Sequence, residues 1–275
     1  MANIFVTYAD NEFREALARI RRRARRMKFF DKVCVYTPED LPEKIRQSPL
    51  FQYKRGGGYW CWKPYVIQNA LAKCKDGDIV YYADCGCVLN PASDEWEKWK
   101  SLMLSHNAIF FQYRTDYHYD LWSKYCKDEC NNNPKILYWT KPLTAQWLTE
   151  YIGDDSWLQD NKIWGGACVI KKNADLRIID EWCKLTITHP ELIIDPQPDE
   201  GNNFPATYNE HRHDQVLLTA LIHKFQHTDD IQVLPETAES RQTNAAICAV
   251  RYRTGKMSTT ERIKYYLYML MHPDF

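Results

Sequence analysis

The chain is 275 residues long, enough to bury a substantial core in one large domain. Lysine plus arginine (36) equals aspartate plus glutamate (36), so overall charge gives no reason to expect a nucleic-acid partner. No run of about 18 apolar residues occurs, and the only early apolar run, Ile4-Phe5-Val6, is soon followed by Asp10 and Glu12; neither a membrane span nor a signal peptide is expected.

Ten tryptophans and eighteen tyrosines suit a core, a sugar-binding cleft or a membrane-facing surface alike. Without an export signal, the ten cysteines are expected as reduced thiols of a cytosolic protein. Cys85/Cys87 and Cys126/Cys130 have the look of zinc half-sites, but neither has a CxxC partner pair.

In chain order, Asn3 to Val6 reads as a first strand with Thr7 and Tyr8 at its C-terminal end. Asp10 or Asn11 caps a helix running to about Met27, with Phe13, Leu17, Ile20, Ala24 and Met27 on one face. The rest of that helix is basic, through Arg19, Arg21, Arg22, Arg23, Arg25 and Arg26. It reads either as a solvated surface or as a patch for anionic lipid headgroups. Lys32 to Tyr36 is a second strand, and strand, helix, strand opens a doubly wound unit. Gly56-Gly57-Gly58 reads as a turn, and Lys63-Pro64 as the start of a helix.

The informative stretch is Gly77 to Cys87, a short apolar strand that delivers one carboxylate, Asp84, to its end. Ligands collect at the carboxyl ends of strands in open α/β sheets. Asp94 to Met103 reads as a helix and Ala108 to Tyr113 as a strand. Arg114 to about Tyr138 reads as a loop or lid, and Thr144 to Tyr151 as a short helix. Trp164-Gly165-Gly166 is either a close backbone approach to a ligand or a plain turn into a strand ending at Ile170. Asn173 to Thr186 reads as a helix and Ile193 to Tyr208 as a loop. His211-Arg212-His213-Asp214-Gln215 opens a further helix, Ile231 to Pro235 is a late strand, and the aromatic tail from Arg262 to Met271 packs on the core or meets a membrane surface. No dinucleotide fingerprint or P-loop is present.

Three residues carry the chemistry. Asp84 is either a strand-end cap or a ligand for a cation or a ribose hydroxyl. Lys63, set among Trp60, Trp62 and Tyr65, is either a surface lysine or a held partner for phosphate. Asp214 is either a helix cap or a site carboxylate, with His211 or His213 as metal ligand and Arg212 as a cation for a diphosphate leaving group.

The strand ending Tyr82-Ala83-Asp84-Cys85-Gly86, with Gly58 to Tyr65, Trp164-Gly165-Gly166 and His211 to Gln215, resembles the GT-A class of nucleotide-sugar glycosyltransferases. Small bacterial enzymes that build capsule or lipopolysaccharide are the nearest likeness. The resemblance implies an α/β, Rossmann-like single domain over 1–275 with a mixed central sheet flanked by helices and a helical tail from about 257. It implies a nucleoside diphosphate sugar as donor and a glycan or lipid-linked hydroxyl as acceptor; the basic first helix and the aromatic tail suggest peripheral contact with the inner membrane face. Thr7 and Tyr8 would lie near the nucleoside, and Gly165 and Gly166 near the sugar or acceptor. Asp84 would meet the ribose and help place the metal, and Asp214, with Gln215, would sit close to the anomeric carbon. Gly86 replaces the family's second, metal-binding Asp. Either Asp84 and His213 hold Mn²⁺ or Mg²⁺, or Lys63 and Arg212 neutralise the diphosphate without metal. Two other classes remain: a non-catalytic carbohydrate-binding protein, and a hydrolase using Asp84 and Asp214 as paired carboxylates.

Overall fold

The apolar runs of the sequence pair into one six-stranded sheet of order β2-β1-β3-β6-β5-β7. Its strands are β1 (Asn3–Tyr8), β2 (Lys32–Tyr36), β3 (Ile79–Ala83), β5 (Ala108–Gln112), β6 (Ile163–Lys171) and β7 (Ile231–Pro235). The β1–β2, β1–β3 and β5–β7 pairs are parallel, while β6 runs antiparallel to both β3 and β5. The expected mixed α/β sheet is therefore observed. The short β4 (Cys87–Leu89) and β8 (Ile247–Ala249) form a separate antiparallel pair. The computed structural model describes residues 1–122, 132–173, 176–201, 204–240, 242, 244–250 and 260. Cys126, Cys130, the middle of the expected lid and the C-terminal tail lie outside the described residues.

Helices flank the sheet. The connection through α1 (Arg14–Arg26) leads from β1 to β2, and the connection through α4 (Lys63–Ala72) leads from β2 back past β1 to β3, so the two run in opposite directions across the sheet. Right-handed crossovers then place the two helices on opposite faces. On one face Phe5 and Tyr81 pack against Phe30 and Trp96, at ring-centroid distances of 5.2 to 6.2 Å. On the other, α4 packs against α7 (Ile178–Thr188), which packs against α8 (His213–Phe225). The Tyr65 hydroxyl donates to the Cys183 carbonyl and fixes α4 to α7. β1 and β3 are buried along their whole length, and β6 is buried up to its last residue. Near-continuous apolar runs are what a sheet covered on both faces requires.

Several local expectations change. The helix expected from Asp10 begins as a 3-10 turn at Asn11–Phe13, capped by Asp10 Oδ1 at 3.0 Å from Glu12 N, before α1 starts. The Gly56 turn is wound left-handed: Gly56, Gly57, Gly58, Tyr59 and Trp60 all have φ between +56° and +92°. Three glycines lower the cost of that winding, and Tyr59 and Trp60 complete it at a cost of roughly 1–2 kcal/mol each. Gly165 and Gly166 are not a turn but lie within β6. α7 starts five residues later than the sequence pattern suggested, at Ile178.

Candidate active site

β3 ends at Ala83, so Asp84 emerges at the carboxyl edge of the sheet. Because β6 is antiparallel, its beginning lies at the same edge: Ala83 pairs with Ala167, and Asp84 N donates to the Gly166 carbonyl at 2.9 Å. α4 and α8 point their N-termini there too. Lys63, at the start of α4, is 3% exposed, and its Nζ lies 2.6 Å from the Gly165 carbonyl oxygen, 3.4 Å from Asp84 Oδ1 and 3.2 Å from Asp214 Oδ2. Four segments that are distant in sequence thus meet at one ammonium.

Burial by itself would lower the Lys63 pKa; the carboxylates of Asp214 and Asp84 outweigh it and raise the pKa. Burial also raises the Asp214 pKa, the Lys63 ammonium opposes that, and the Asp84 charge adds to it. The buried cation offsets the repulsion between the two carboxylates. Lys63 therefore positions both, with its ammonium hydrogen-bonded to the Gly165 carbonyl and ion-paired with Asp84 and Asp214. It is not a free cation waiting for a diphosphate. Tyr82, two residues before Asp84 and so on the same strand face, donates its hydroxyl to Asp84 Oδ1 at 2.5 Å. That residue gave no signal in the sequence beyond its spacing. Asp84 keeps 32% of its side chain exposed, which leaves it open to a ligand.

The two β6 glycines serve opposite faces. A Cβ on Gly165 would lie 3.1 Å from Asp214 Oδ2 and 3.5 Å from Lys63 Nζ, so glycine allows the three to close together. A Cβ on Gly166 would lie 2.3 Å from the Trp164 ring, which folds over that position. Gln215 lies beside Gly165, and its Oε1 is buried with no hydrogen-bond partner among the described residues. Thr7 and Tyr8 sit at the end of β1 as expected, and both are buried. The Tyr8 ring stacks on Trp62 at 3.9 Å between centroids, and Trp62 Nε1 donates to the Gly56 carbonyl at 3.0 Å. The left-handed turn is thereby tied to the end of β1.

A second polar network adjoins this cluster. Tyr59 donates its hydroxyl to Asp195 Oδ2 at 2.8 Å, and Arg55 pairs with both Asp195 and Glu210. Arg212 pairs with Glu210 at 3.1 Å and lies over the Trp139 ring. It belongs to this network and not to the Lys63 cluster. His213 is buried, with Nδ1 2.8 Å from the Ile193 carbonyl. A carbonyl only accepts, so Nδ1 carries the proton and Nε2 is an acceptor. Burial, then the Arg55 charge, lowers the His213 pKa to about 3, so the ring is neutral at pH 7. Nε2 has no hydrogen-bond partner, and Asp195 Oδ1 lies 3.8 Å away. Asp195, Tyr59, Arg55 and Glu210 were missed by sequence reasoning; a Pro- and Asp-rich loop does not announce which carboxylate turns inward.

The pair Asp84 and His213 does not assemble as a site for Mn²⁺ or Mg²⁺. Asp84 is held by Lys63 and Tyr82, and an ammonium 3.4 Å away opposes a second cation there. His213 is held by Ile193 and packed on Tyr59 at 4.7 Å. Among the described residues, no three His, Cys, Asp or Glu side chains converge to hold a metal. The eight described cysteines are free thiols, and burial pushes Cys61, Cys85 and Cys168 up to about 12, away from thiolate chemistry at neutral pH. A groove between α4 and α7, lined by Tyr65, Gln68, Asn69 and Asp180, also touches Lys171 at the end of β6, the opposite sheet edge. It contains none of the site residues.

No family model and no curated protein matches the sequence. Among solved structures, the fold is similar to a galactosyltransferase, LgtC, in complex with donor and acceptor sugar analogs: 12% identity, 84% of this chain, 72% of that one, TM-score 0.37. An active-site mutant of LgtC is similar over 96% of this chain and 95% of its own, at 11% identity and TM-score 0.43. The apo form of mouse xyloside xylosyltransferase 1 is similar over 84% of both chains, at 8% identity and TM-score 0.40. The functional reading below rests on this chain's own residues.

Proposed function

We propose that this protein is a glycosyltransferase that moves a sugar from a nucleoside diphosphate sugar to a hydroxyl of a glycan or lipid-linked acceptor. The observation that carries the reading is the Lys63 ammonium shared by Asp84 and Asp214 at the carboxyl edge of the sheet. Ligands bind at such an edge in open α/β sheets. The motif resemblance of Asp84 to Gly86 and His211 to Gln215 extends the reading to synthesis of a surface polysaccharide.

In this reading the acceptor oxygen attacks the anomeric carbon. The bond from that carbon to the phosphate oxygen breaks, and the nucleoside diphosphate leaves with the bonding pair, its departing phosphate oxygen taking up the acceptor's hydroxyl proton. Positive charge grows on the sugar, and a fixed carboxylate beside it lowers the barrier. Asp214 supplies that carboxylate, ion-paired with the Lys63 ammonium, which opposes the rise in pKa that burial causes. Gln215 offers its unpartnered Oε1 next to it. Asp84, partly open to solvent, accepts from a hydroxyl of the ribose or sugar. With Asp214 and Gln215 beside the cationic sugar, where they would stabilise its charge, the reading favours retention at the anomeric carbon. Anomeric coupling constants of the product, followed by NMR from the first turnover, check this; an inverted product would make Asp214 a base instead.

The function itself is tested by a thermal-shift screen of nucleoside diphosphates and their sugars, with and without Mn²⁺. A ligand that binds only the folded state raises the melting temperature. One nucleotide is expected to do so, with the shift lost in Asp84→Ala. A shift with free oligosaccharides and none with any nucleotide overturns the reading in favour of a binding module. Donor hydrolysis that acceptors do not accelerate points to the hydrolase.

A further inference from the structure

Of the eight cations between Arg14 and Lys28, Arg14 bonds locally to Asn11 Oδ1 and two others reach a distant strand. Arg19 Nη2 donates to the Cys87 carbonyl at 3.1 Å, and Arg23 Nε donates to the Leu89 carbonyl at 3.0 Å. These carbonyls follow directly on the Asp84 turn. They lock α1 against β4, so the helix is fixed beside the candidate active site. Ala16, Ile20 and Ala24 form its buried face.

Arg21, Arg22, Arg25 and Arg26 are exposed, as is Lys28 just beyond the helix. At 100° per residue the four arginines fall within one face, opposite Ile20 and Ala24. Among the described residues none of these five cations has a carboxylate partner in an ion pair. The stretch 14–28 has eight cations against one carboxylate, Glu15, in a chain of zero net charge. The excess of seven positive charges is therefore matched by seven negative charges elsewhere. Positive charge is thus concentrated on α1.

We propose that the Arg21, Arg22, Arg25 and Arg26 face of α1 is a docking surface for an anionic lipid bilayer. A straight, convex row of guanidinium groups matches a flat sheet of headgroup phosphates. It offers no exposed aromatic side chain between the arginines to stack on a base, as single-stranded nucleic-acid sites do. The apolar face of the helix is already buried, so attachment is electrostatic, without insertion. It is worth roughly fivefold in affinity per cation near the surface and is screened by salt. Through the Arg19 and Arg23 tethers, docking brings the Asp84 turn close to the bilayer, where a lipid-linked acceptor would be presented. The surface itself does not depend on the transferase reading, because binding is measured without nucleotide.

The test is cosedimentation of the full chain with vesicles of phosphatidylcholine alone or with about one third phosphatidylglycerol. Binding only to the anionic vesicles at about 0.1 M salt, with release at about 0.5 M, is expected. Arg22→Glu/Arg25→Glu should weaken it at least tenfold, Arg22→Gln/Arg25→Gln less, and Lys44→Glu/Lys75→Glu much less than either. Melting temperatures establish that each variant is folded, and the glutamine pair decides if the glutamate pair is not. No binding of the wild type, or equal binding by both arginine variants, overturns the assignment. Tighter binding to polyuridylate than to the anionic vesicles, lost in the same variants, reassigns the face to nucleic acid.

Discussion

Lys63 holds two carboxylates that would otherwise face each other in a buried place. Removing one member of a buried ion pair costs about 3–5 kcal/mol, because the partners are left unpaired. Lys63→Met is therefore expected to lower stability by about that amount in urea unfolding, and to abolish transfer. A neighbouring residue makes a pH prediction. The His213 pKa in the fold is about 3, below its value of 6.5 in the unfolded chain. A group whose folded pKa is depressed gives stability that is present above the unfolded pKa and is lost as pH falls, because the unfolded state takes up the proton first. Stability should thus fall by up to about 1.4 kcal/mol per pH unit below about pH 6 from His213. His211, lowered well below its usual value by burial and by His213, adds to the loss. The slope in urea titrations should flatten in His213→Gln; an unchanged slope would remove His213 as its source.

At the scale of elements, two short stretches set the site's shape. The left-handed turn at Gly56–Trp60 carries Trp62 to its stack on Tyr8 and Lys63 to its place. Gly58 has φ +92°, and a Cβ there would lie 3.0 Å from the Leu50 carbonyl oxygen. Gly58→Ala is expected to destabilise by more than about 1 kcal/mol. In β6, alternate residues face opposite sides. Gly165→Ala should leave the fold in place but push Asp214 and Lys63 apart, lowering transfer and nucleotide-induced stabilisation. Gly166→Ala should displace the Trp164 ring and cost about 1–3 kcal/mol of stability in the same unfolding assay. If both glycine variants behaved alike, the opposite-face assignment would fail. The strand ends of β1, β2, β3, β5 and β7 were legible in the sequence, because apolar runs bounded by turn residues announce themselves locally. The glycines of β6 stay ambiguous in the sequence because glycine alone does not distinguish a bend from a close approach. β4 and β8 are three residues each, too short to leave a pattern.

For the whole molecule, the site depends on one antiparallel strand. With β6 reversed, its first residues reach the carboxyl edge, so Gly165 meets Lys63 from α4, Asp84 from β3 and Asp214 from α8. The same architecture sets the zero net charge into a basic α1 end and an acidic remainder, a polarity invisible to the total. Among the described residues no helix is long and apolar enough to cross a membrane.

The sequence by itself determined the α/β character, the helix start at Lys63 and the arrival of Asp84 at a strand end. Each follows from local periodicity, from proline at a first helical turn or from a carboxylate closing an apolar run, and none needs a distant partner. Only the tertiary structure decided that Lys63 is a buried clamp between two carboxylates, that Arg212 serves Glu210, that His213 and Asp84 have different partners, and that Arg19 and Arg23 are anchors while their neighbours face solvent. Those roles depend on which side chains meet in space, as Lys63 meets Gly165 across 102 residues and Arg19 meets Cys87 across 68, and on the burial that makes one ammonium worth two carboxylates. Distance and dielectric are properties of the folded molecule, and residue order alone does not contain them in readable form.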